Sequence, residues 1–507
     1  MASESANFSA CSPDVTAHSS IMIPSNGPQS EMNTVENTAT APSSSAIRVV
    51  LINTYELGRQ PFGLAHAAAW LRHAGHDVVC LDLAVDSLQT QLLRGADLVA
   101  LHVPMHTATR IAVQALPRIR SLAPGARLCA YGLYAPVNEP LFRSLGVDTV
   151  LGGEFEPGLA ALARQIAAGE RAPQSGPVIN LAKIPFLPPD RRGLPDLDSY
   201  ASLILADGTH RTVGFTEASR GCRHLCRHCP VVPVYGGRFR IVPVDVVLSD
   251  IRSQIASGAE HVSFGDPDFL NGPTHALRIV RALHDEFPGV TYDATVKIEH
   301  IVRSRAVLSE LKQTGCLFLT SAVESVDDGI LERLEKGHTR ADFEHAVDLL
   351  REVGISVSPT FVPFTPWTTI EGFAELLDAL VALRLVENVP PVQLAIRLLV
   401  PEGSYLFRIP GFETLVEAFD QSLLGYPWTH RDPRVDELQK DILELAESAE
   451  STTAPRREIF QAMRQLAYDR VGKSPPPLPA DLGAPIPRHS EAWYCCAEPT
   501  TQQLIGF

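Results

Sequence analysis

The sequence predicts an α/β chain with a doubly wound parallel sheet over residues 46–170, a partial (β/α)6 barrel over 212–405 and a helical extension over 406–507. Three observations predict this. A first series of five short apolar runs alternates with helical stretches, a second series of six does the same, and a Pro-rich connector separates them. In the first series the apolar runs are 48–52, 78–81, 98–103, 128–131 and 149–151. Between the first two, Leu64, Ala68 and Leu71 share one helical face, and Gly75 follows as a C-cap signal. The last helix of the unit, 157–168, ends before Gly169. Strands that alternate with helices must be parallel, because only a crossover connection joins parallel neighbours. Such sheets bind ligands at the carboxyl ends of their strands.

Residues 171–211 read as a linker with six prolines before residue 200, closing on a hairpin turned by Asp207-Gly208. The second series has strand candidates at 212–216, 262–264, 290–294, 317–321, 355–361 and 392–399. Its first helix, 244–256, puts Val244, Val247, Leu248, Ile251 and Ile255 on one face. A barrel of this kind places its active site at the carboxyl ends of the strands. Helices at 435–449 and 457–471 and a Pro-rich spacer then lead to Trp493-Tyr494-Cys495-Cys496. Residues 1–45 are rich in Ser, Thr, Ala, Pro and Asn without periodicity and read as a disordered tail.

The charge of −15 argues against a nucleic-acid partner, because phosphate backbones are bound by basic surfaces. No apolar run approaches the roughly 18 residues that span a bilayer, and no secretory pattern opens the chain, so a cytoplasmic protein without a membrane partner is expected. Nine cysteines, an odd number on a long chain, argue against a disulfide framework. Cys80, Cys129 and Cys316 sit in apolar runs and read as small buried hydrophobes.

The decisive stretch is Ala218-Ser219-Arg220-Gly221-Cys222-Arg223-His224-Leu225-Cys226-Arg227-His228-Cys229-Pro230. Three thiolates spaced CxxxCxxC directly follow a strand, at the mouth of the expected barrel. Thiolates are the usual ligands of iron–sulfur clusters, and three of them leave one iron of a cubane open for chemistry. The competing reading of the same residues is a zinc site completed by His224 or His228.

The block 212–405 resembles the radical S-adenosylmethionine (SAM) superfamily, and Ala218 to Pro230 resembles the branch with an N-terminal cobalamin-binding-type, Rossmann/flavodoxin-like domain. That resemblance implies a [4Fe–4S] cluster on Cys222, Cys226 and Cys229, SAM on the open iron, and an electron donor such as flavodoxin or ferredoxin. It also implies that His228 packs on the adenine of SAM. Asp266, in Gly265-Asp266-Pro267, stands where the family accepts from the SAM ammonium, and Glu324 and Ser325 where it contacts ribose or methionine. Lys297, Glu299, Thr360 and Arg397 are implied at the same mouth. Residues 46–170, with Gly152-Gly153-Glu154-Phe155-Glu156 near their end, imply cobalamin as a further cofactor. The loop that carries a cobalt-ligating His in many such domains here reads Asn53-Thr54-Tyr55-Glu56-Leu57-Gly58. Cobalamin therefore binds without that His, or the domain has lost it; His102 and His106 flank the third strand instead.

The ending Tyr494-Cys495-Cys496-Ala497-Glu498-Pro499 resembles the tail of the CUAEP/CCAEP-tail radical SAM (seleno)proteins. This resemblance implies arsenite as the small-molecule substrate, held by catalytic Cys495 and Cys496. The implied reaction moves the 3-amino-3-carboxypropyl group of SAM to arsenic, as in arsinothricin-type biosynthesis. Two alternatives stand beside it: a cobalamin-dependent radical SAM methyltransferase, and a non-catalytic iron–sulfur or zinc protein.

Overall fold

The computed structural model describes residues 46–170, 178–450 and 455–491, all within one compact unit, Ser44–Phe507. The expected N-terminal tail and Cys495 and Cys496 lie outside the described residues.

The first sheet contains β1 (Arg48–Asn53), β2 (Asp77–Asp82), β3 (Leu98–His102), β4 (Arg127–Tyr131), β5 (Thr149–Gly153) and β6 (Ile179–Asn180). Their order is β2-β1-β3-β4-β5-β6, with parallel pairing throughout. Side chains alternate between faces with a period of two. Val50, Ile52, Val99 and Leu101 are buried in one core, and Val49, Leu51, Leu98 and Ala100 in another. The helix His106–Leu122 covers the first face, while Phe62–His73 and Glu156–Ala167 cover the second. Both faces are covered, so the strands are apolar on both sides, as a doubly wound sheet requires. The short β6 comes from the Pro-rich connector and carries no apolar signature of its own.

The connector continues into β7 (Leu203–Ile204) and β8 (His210–Arg211), which pair antiparallel across the expected turn at Asp207-Gly208. The barrel sheet then begins with β9 (Val213–Thr216). A two-stranded ribbon, β10 (Ser219–Gly221) with β11 (Phe239–Ile241), brackets the cysteine loop. Four more strands complete the barrel sheet: β12 (His261–Phe264), β13 (Thr291–Thr295), β14 (Cys316–Glu324) and β15 (Ser356–Phe361). The order is β15-β14-β13-β12-β9, all parallel. The helices Val244–Ala256, Pro273–Glu286, Arg340–Val353 and Ile370–Ala382 pack their apolar faces on it from outside.

The sixth strand expected at 392–399 does not form. Pro391–Leu394 is a single 3-10 turn, and only an isolated bridge joins Arg397 to Phe364. Pro390 and Pro391 carry no N–H to donate to a ladder. The Phe361 amide instead donates to the side-chain oxygen of Gln393, at 3.2 Å. A side chain thus satisfies the edge of β15 where a strand was expected.

The extension folds as the helices Pro433–Glu450 and Arg456–Val471, close to the sequence reading. Phe460, Met463 and Ala467 join the barrel core, and Arg464 bonds Asp378 on the helix Ile370–Ala382 at 2.7 Å. The last strand, β16 (Arg488–His489), turns back and pairs with β7. Among the described residues no helix is long and apolar enough to cross a membrane.

Candidate active site

The three cysteines sit on the loop between β10 and β11. Gly221 opens that loop with φ +73°, and a Cβ there would lie 2.4 Å from the Arg238 carbonyl oxygen, so only glycine fits beneath the ribbon. The loop is pinned from across the barrel, where the Arg227 amide donates to the Leu334 carbonyl at 2.9 Å. Cys222 and Cys226 are buried and Cys229 half-buried, and all three line one cavity of ≈ 310 Å³. Burial raises the Cys222 thiol above its usual range, and ligation to a cationic cluster would reverse this. Lys297 Nζ lies 3.8 Å from Cys226 Sγ.

Two groups of three metal-ligating side chains bring their ligand atoms within 4.8 Å of one another among the described residues. They are Cys222–His224–Asp268 and His261–Asp293–His489, so neither unites two of the cysteines. A tetrahedral zinc with bonds of roughly 2.0–2.3 Å needs its ligands closer than that. Cys222, His224 and Asp268 are the set a single ion would take here, and it leaves out Cys226 and Cys229.

The cavity has two walls. One is the barrel mouth, with Asp266 after β12, Lys297 after β13, Glu324 at the end of β14 and Thr360 on β15. The other is the carboxyl edge of the first sheet, with Glu56 after β1, His102 on β3, Gly132 after β4 and Gly153 on β5. Glycines let the elements of this edge pack closely: a Cβ on Gly63 would lie 2.4 Å from His102 Nε2, and one on Gly132 3.0 Å from the Val103 carbonyl oxygen. Burial raises the Glu56 carboxyl well above the ordinary range, with Glu217 and Asp82 adding to it.

Glu324 is the charge centre of the barrel wall. Its Oε1 accepts from His228 Nε2 at 3.0 Å and from Lys336 Nζ at 3.2 Å. It holds φ +70°, uncommon for a residue with a side chain, where β14 turns into the mouth. Burial alone would raise its carboxyl, but Lys336 and then His228 bring it to about 2. An unfolded Glu titrates near ~4.3, so the folded value is depressed. Its contribution is therefore complete above about pH 4.3 and lost as pH falls toward 2, on the order of 3 kcal/mol in all. Glu324→Gln is expected to flatten the fall of stability between about pH 4 and 2. Denaturant midpoints against pH check this, and an unchanged slope would refute it.

Asp266 accepts from the Ala218 amide at 2.9 Å and from the Ser219 hydroxyl, so both of its oxygens brace the start of the cysteine loop. Burial raises its carboxyl to about 7, opposed by those two donors.

The sequence-predicted residues therefore divide. Cys222, Cys226, Cys229, His228, Asp266, Glu324, Lys297 and Thr360 line the cavity. Ser325 and Arg397 do not. Ser325 Oγ accepts from the Asp327 amide at 3.1 Å and closes a turn. Arg397 bonds Asp436 at 2.7 Å and lies over the Trp428 ring, because its segment is a bridge and not a strand aimed at the mouth. His102 is buried and bonds Asn53 at 3.0 Å, and burial lowers it to about 3, so it is neutral. His106 is buried outside the cavity wall with neither ring nitrogen hydrogen-bonded among the described residues. Cys80, Cys129 and Cys316 are buried, as expected of small hydrophobes.

Sequence reasoning missed the Arg220 network. This residue, 7% exposed, bonds Glu156 at 2.6 Å, Glu217 at 3.0 Å, Glu154 at 3.3 Å and His66 at 3.0 Å. The rings of Phe62, Phe155 and Phe186 surround it at 5.3–5.7 Å. It stands two residues before Cys222 and so joins the start of the cysteine loop to the edge of the first sheet. The Glu154-Phe155-Glu156 stretch was visible in the sequence, but its partner lies more than sixty residues away. Lys336 was visible only as part of Leu331-Glu332-Arg333-Leu334-Glu335-Lys336-Gly337.

Residues 216–380 match the Radical SAM superfamily, so the barrel of this chain is a radical SAM domain, a class that works with a [4Fe–4S] cluster and SAM. Among individual relatives, the chain is 25% identical over 324 residues to the hopanoid C-3 methylase of Methylococcus capsulatus, covering 61% of this chain and 62% of that protein. It is 25% identical over 247 residues to the tRNA-2-methylthio-N(6)-dimethylallyladenosine synthase of Mannheimia succiniciproducens, covering 46% of this chain and 48% of that one. The chain thus spans less than two thirds of either relative. In fold it is similar to the radical SAM methyltransferase TsrM of Kitasatospora setae, solved with cobalamin and a [4Fe–4S] cluster (TM-score 0.56, 20% identity, 67% of this chain and 73% of that one). It is similar also to the cobalamin-dependent SAM radical enzyme OxsB, solved with aqua-cobalamin (TM-score 0.64, 14% identity, 84% and 72%). The likeness extends over both parallel units, which confirms the expected fold class.

Proposed function

We propose that the protein is a radical SAM transferase that moves a methyl group to a small-molecule substrate held between the cysteine loop and the edge of the first sheet, with cobalamin in that edge. The observation that carries this reading is the single cavity walled by both. Cys222, Cys226 and Cys229 hold the cluster in it, and flavodoxin or ferredoxin reduces it. Gly63, Gly132 and Gly153 line the cavity at this edge with bare backbone, a surface that suits a flat macrocycle. The loop after β1 would face the macrocycle with Glu56, at the place where many such domains carry a His. When bound, the cluster with SAM supplies reductive carbon–sulfur cleavage, and cobalamin supplies methyl carriage.

The chain's own residues prepare the site. Lys297 and Lys336 offset the negative charge of the thiolates, and Glu324 holds Lys336 and His228 in place. His228 Nδ1 is buried without a partner among the described residues, a donor or acceptor left for SAM. Asp266 braces the loop through Ala218 and Ser219. The Arg220 network closes the seam between the two walls and excludes water from it.

A second reading rests on the tail sequence Tyr494-Cys495-Cys496-Ala497-Glu498-Pro499 and on the missing His after β1. In it, Cys495 and Cys496 hold arsenite, and the 3-amino-3-carboxypropyl group of SAM is transferred to arsenic. A thiol pair suits a soft, thiophilic atom. One anaerobic assay separates the readings, using reconstituted protein, SAM, a reductant, cobalamin and arsenite, followed by mass spectrometry. Methyl transfer yields 5′-deoxyadenosine and no arsenic product. The second reading yields methylthioadenosine with an aminocarboxypropyl arsenical, and Cys495→Ser with Cys496→Ser must abolish it. Protein with a loaded cluster that cleaves no SAM would overturn both.

A further inference from the structure

A second pocket of ≈ 140 Å³ lies beneath the main cavity, in the floor of the barrel. The two share Leu57, Arg59, Thr360 and Gln393 in their walls, so they adjoin. The floor pocket is cationic: Arg59, Arg456 and Arg488 face it, with Glu491 as its one acidic wall residue among the described residues. The carboxylate of Glu491 already accepts from the Tyr55 hydroxyl and lies beside Arg59. Arg59 is in turn set among Asp293, Glu56 and Glu491.

Arg456 and Arg488 are less compensated, with Glu387 as the one carboxylate that attracts Arg456. Neither forms a salt bridge among the described residues, and the one side-chain bond of Arg456 goes to the Glu387 carbonyl at 2.6 Å. Burial first, and then the neighbouring Arg488, lower the Arg456 guanidinium to about 10. Two guanidinium groups that repel each other beside a pocket cost stability unless an anion joins them. Arg456 also opens the 16-residue helix Arg456–Val471, whose amino end adds positive potential. Thr320, Ser358 and Ser490 supply hydroxyls to the same pocket.

We propose that this floor pocket binds an oxyanion, a phosphate or carboxylate group, clamped between Arg456 and Arg488. A ligand that fills both cavities places its acidic end here and its body under the cysteine loop. The guanidinium fork suits a planar or tetrahedral anion, which it can hold through two bonds. The site stands on the pocket's own charges, so it holds whichever group the enzyme transfers.

The test is thermal unfolding of the reconstituted full-length protein, titrated with inorganic phosphate, acetate or glycerol 3-phosphate against sodium chloride at matched ionic strength. Phosphate or acetate is expected to raise Tm saturably where chloride does not. Arg456→Gln with Arg488→Gln is expected to weaken the half-saturating concentration by roughly tenfold or more, since a charge-assisted bond is lost at each position. Arg456→Lys with Arg488→Lys, which keeps the charge, is expected to retain part of the shift and guards against a folding defect in the Gln pair. A larger shift with glycerol 3-phosphate than with phosphate identifies the acidic end of an extended ligand, and equal shifts identify the free anion. No shift beyond chloride, or the same half-saturation in the Gln pair as in the parent, overturns the proposal.

Discussion

Cys226→Ala is expected to strip the protein of its cluster and of SAM cleavage while leaving the fold in place. Losing an outer hydrogen-bond partner of a metal ligand typically costs 10–100-fold, and losing the ligand itself should exceed about a hundredfold. Cys226 is a buried thiol 3.8 Å from Lys297 Nζ, and it shares the loop with only two others. With two thiolates left, a cubane has two unprotected irons, and the site can neither retain it nor reserve one position for SAM. Three measurements check this: iron and sulfide per chain, visible absorbance after reconstitution, and nucleoside release from SAM. Retained iron with full SAM cleavage would remove Cys226 from the ligand set. A zinc-loaded, iron-free parent protein would revive the structural-metal reading.

The second large effect is expected at Arg220. Arg220→Met keeps the bulk that Phe62, Phe155 and Phe186 surround but leaves Glu154 and Glu156 buried without their cation. Breaking a buried ion pair from one side costs about 3–5 kcal/mol, because the desolvated partner keeps its charge. Three carboxylates share this one guanidinium, and the two fully buried ones, Glu154 and Glu156, respond differently. Burial raises both, yet Arg220 and His66 bring Glu156 well below its ordinary value, while Glu154, at the longer bond, stays raised. Glu156 is therefore the partner that carries the charge. Adding Glu156→Gln to Arg220→Met should recover part of the loss, whereas Glu154→Gln should recover less. Denaturant midpoints for the three variants test this ordering. A single Arg220→Met variant as stable as the parent would show that the network contributes little. The same substitution should loosen the cysteine loop, since Arg220 precedes Gly221 and Cys222 directly.

Much of this was legible in the sequence because it is local. The apolar runs at 48–52, 98–103 and 128–131 became β1, β3 and β4, and the helix expected at 244–256 formed with those bounds. Strand and helix periodicities are written in neighbouring residues, and the fold class follows from their alternation. The CxxxCxxC spacing likewise lies within eight residues, so the proposed ligand set was visible before any tertiary contact. Arg397 and the sixth strand failed for a related reason. The apolar pattern at 392–399 suits a strand, but two prolines and the inward turn of Gln393 satisfied β15 by another route.

What the sequence by itself determined is therefore the alternation of elements, the doubly wound and barrel units, and the three thiols on one loop. Only the tertiary structure decided that Arg220 pairs with Glu154 and Glu156, that Glu324 gathers His228 and Lys336, and that Arg456 and Arg488 meet beneath the barrel. The physical reason is range. Hydrophobic periodicity specifies which face of a segment is buried, and a few residues suffice to express it. Which charges then meet across that buried face depends on how segments tens to hundreds of residues apart are packed together, and no local pattern records it.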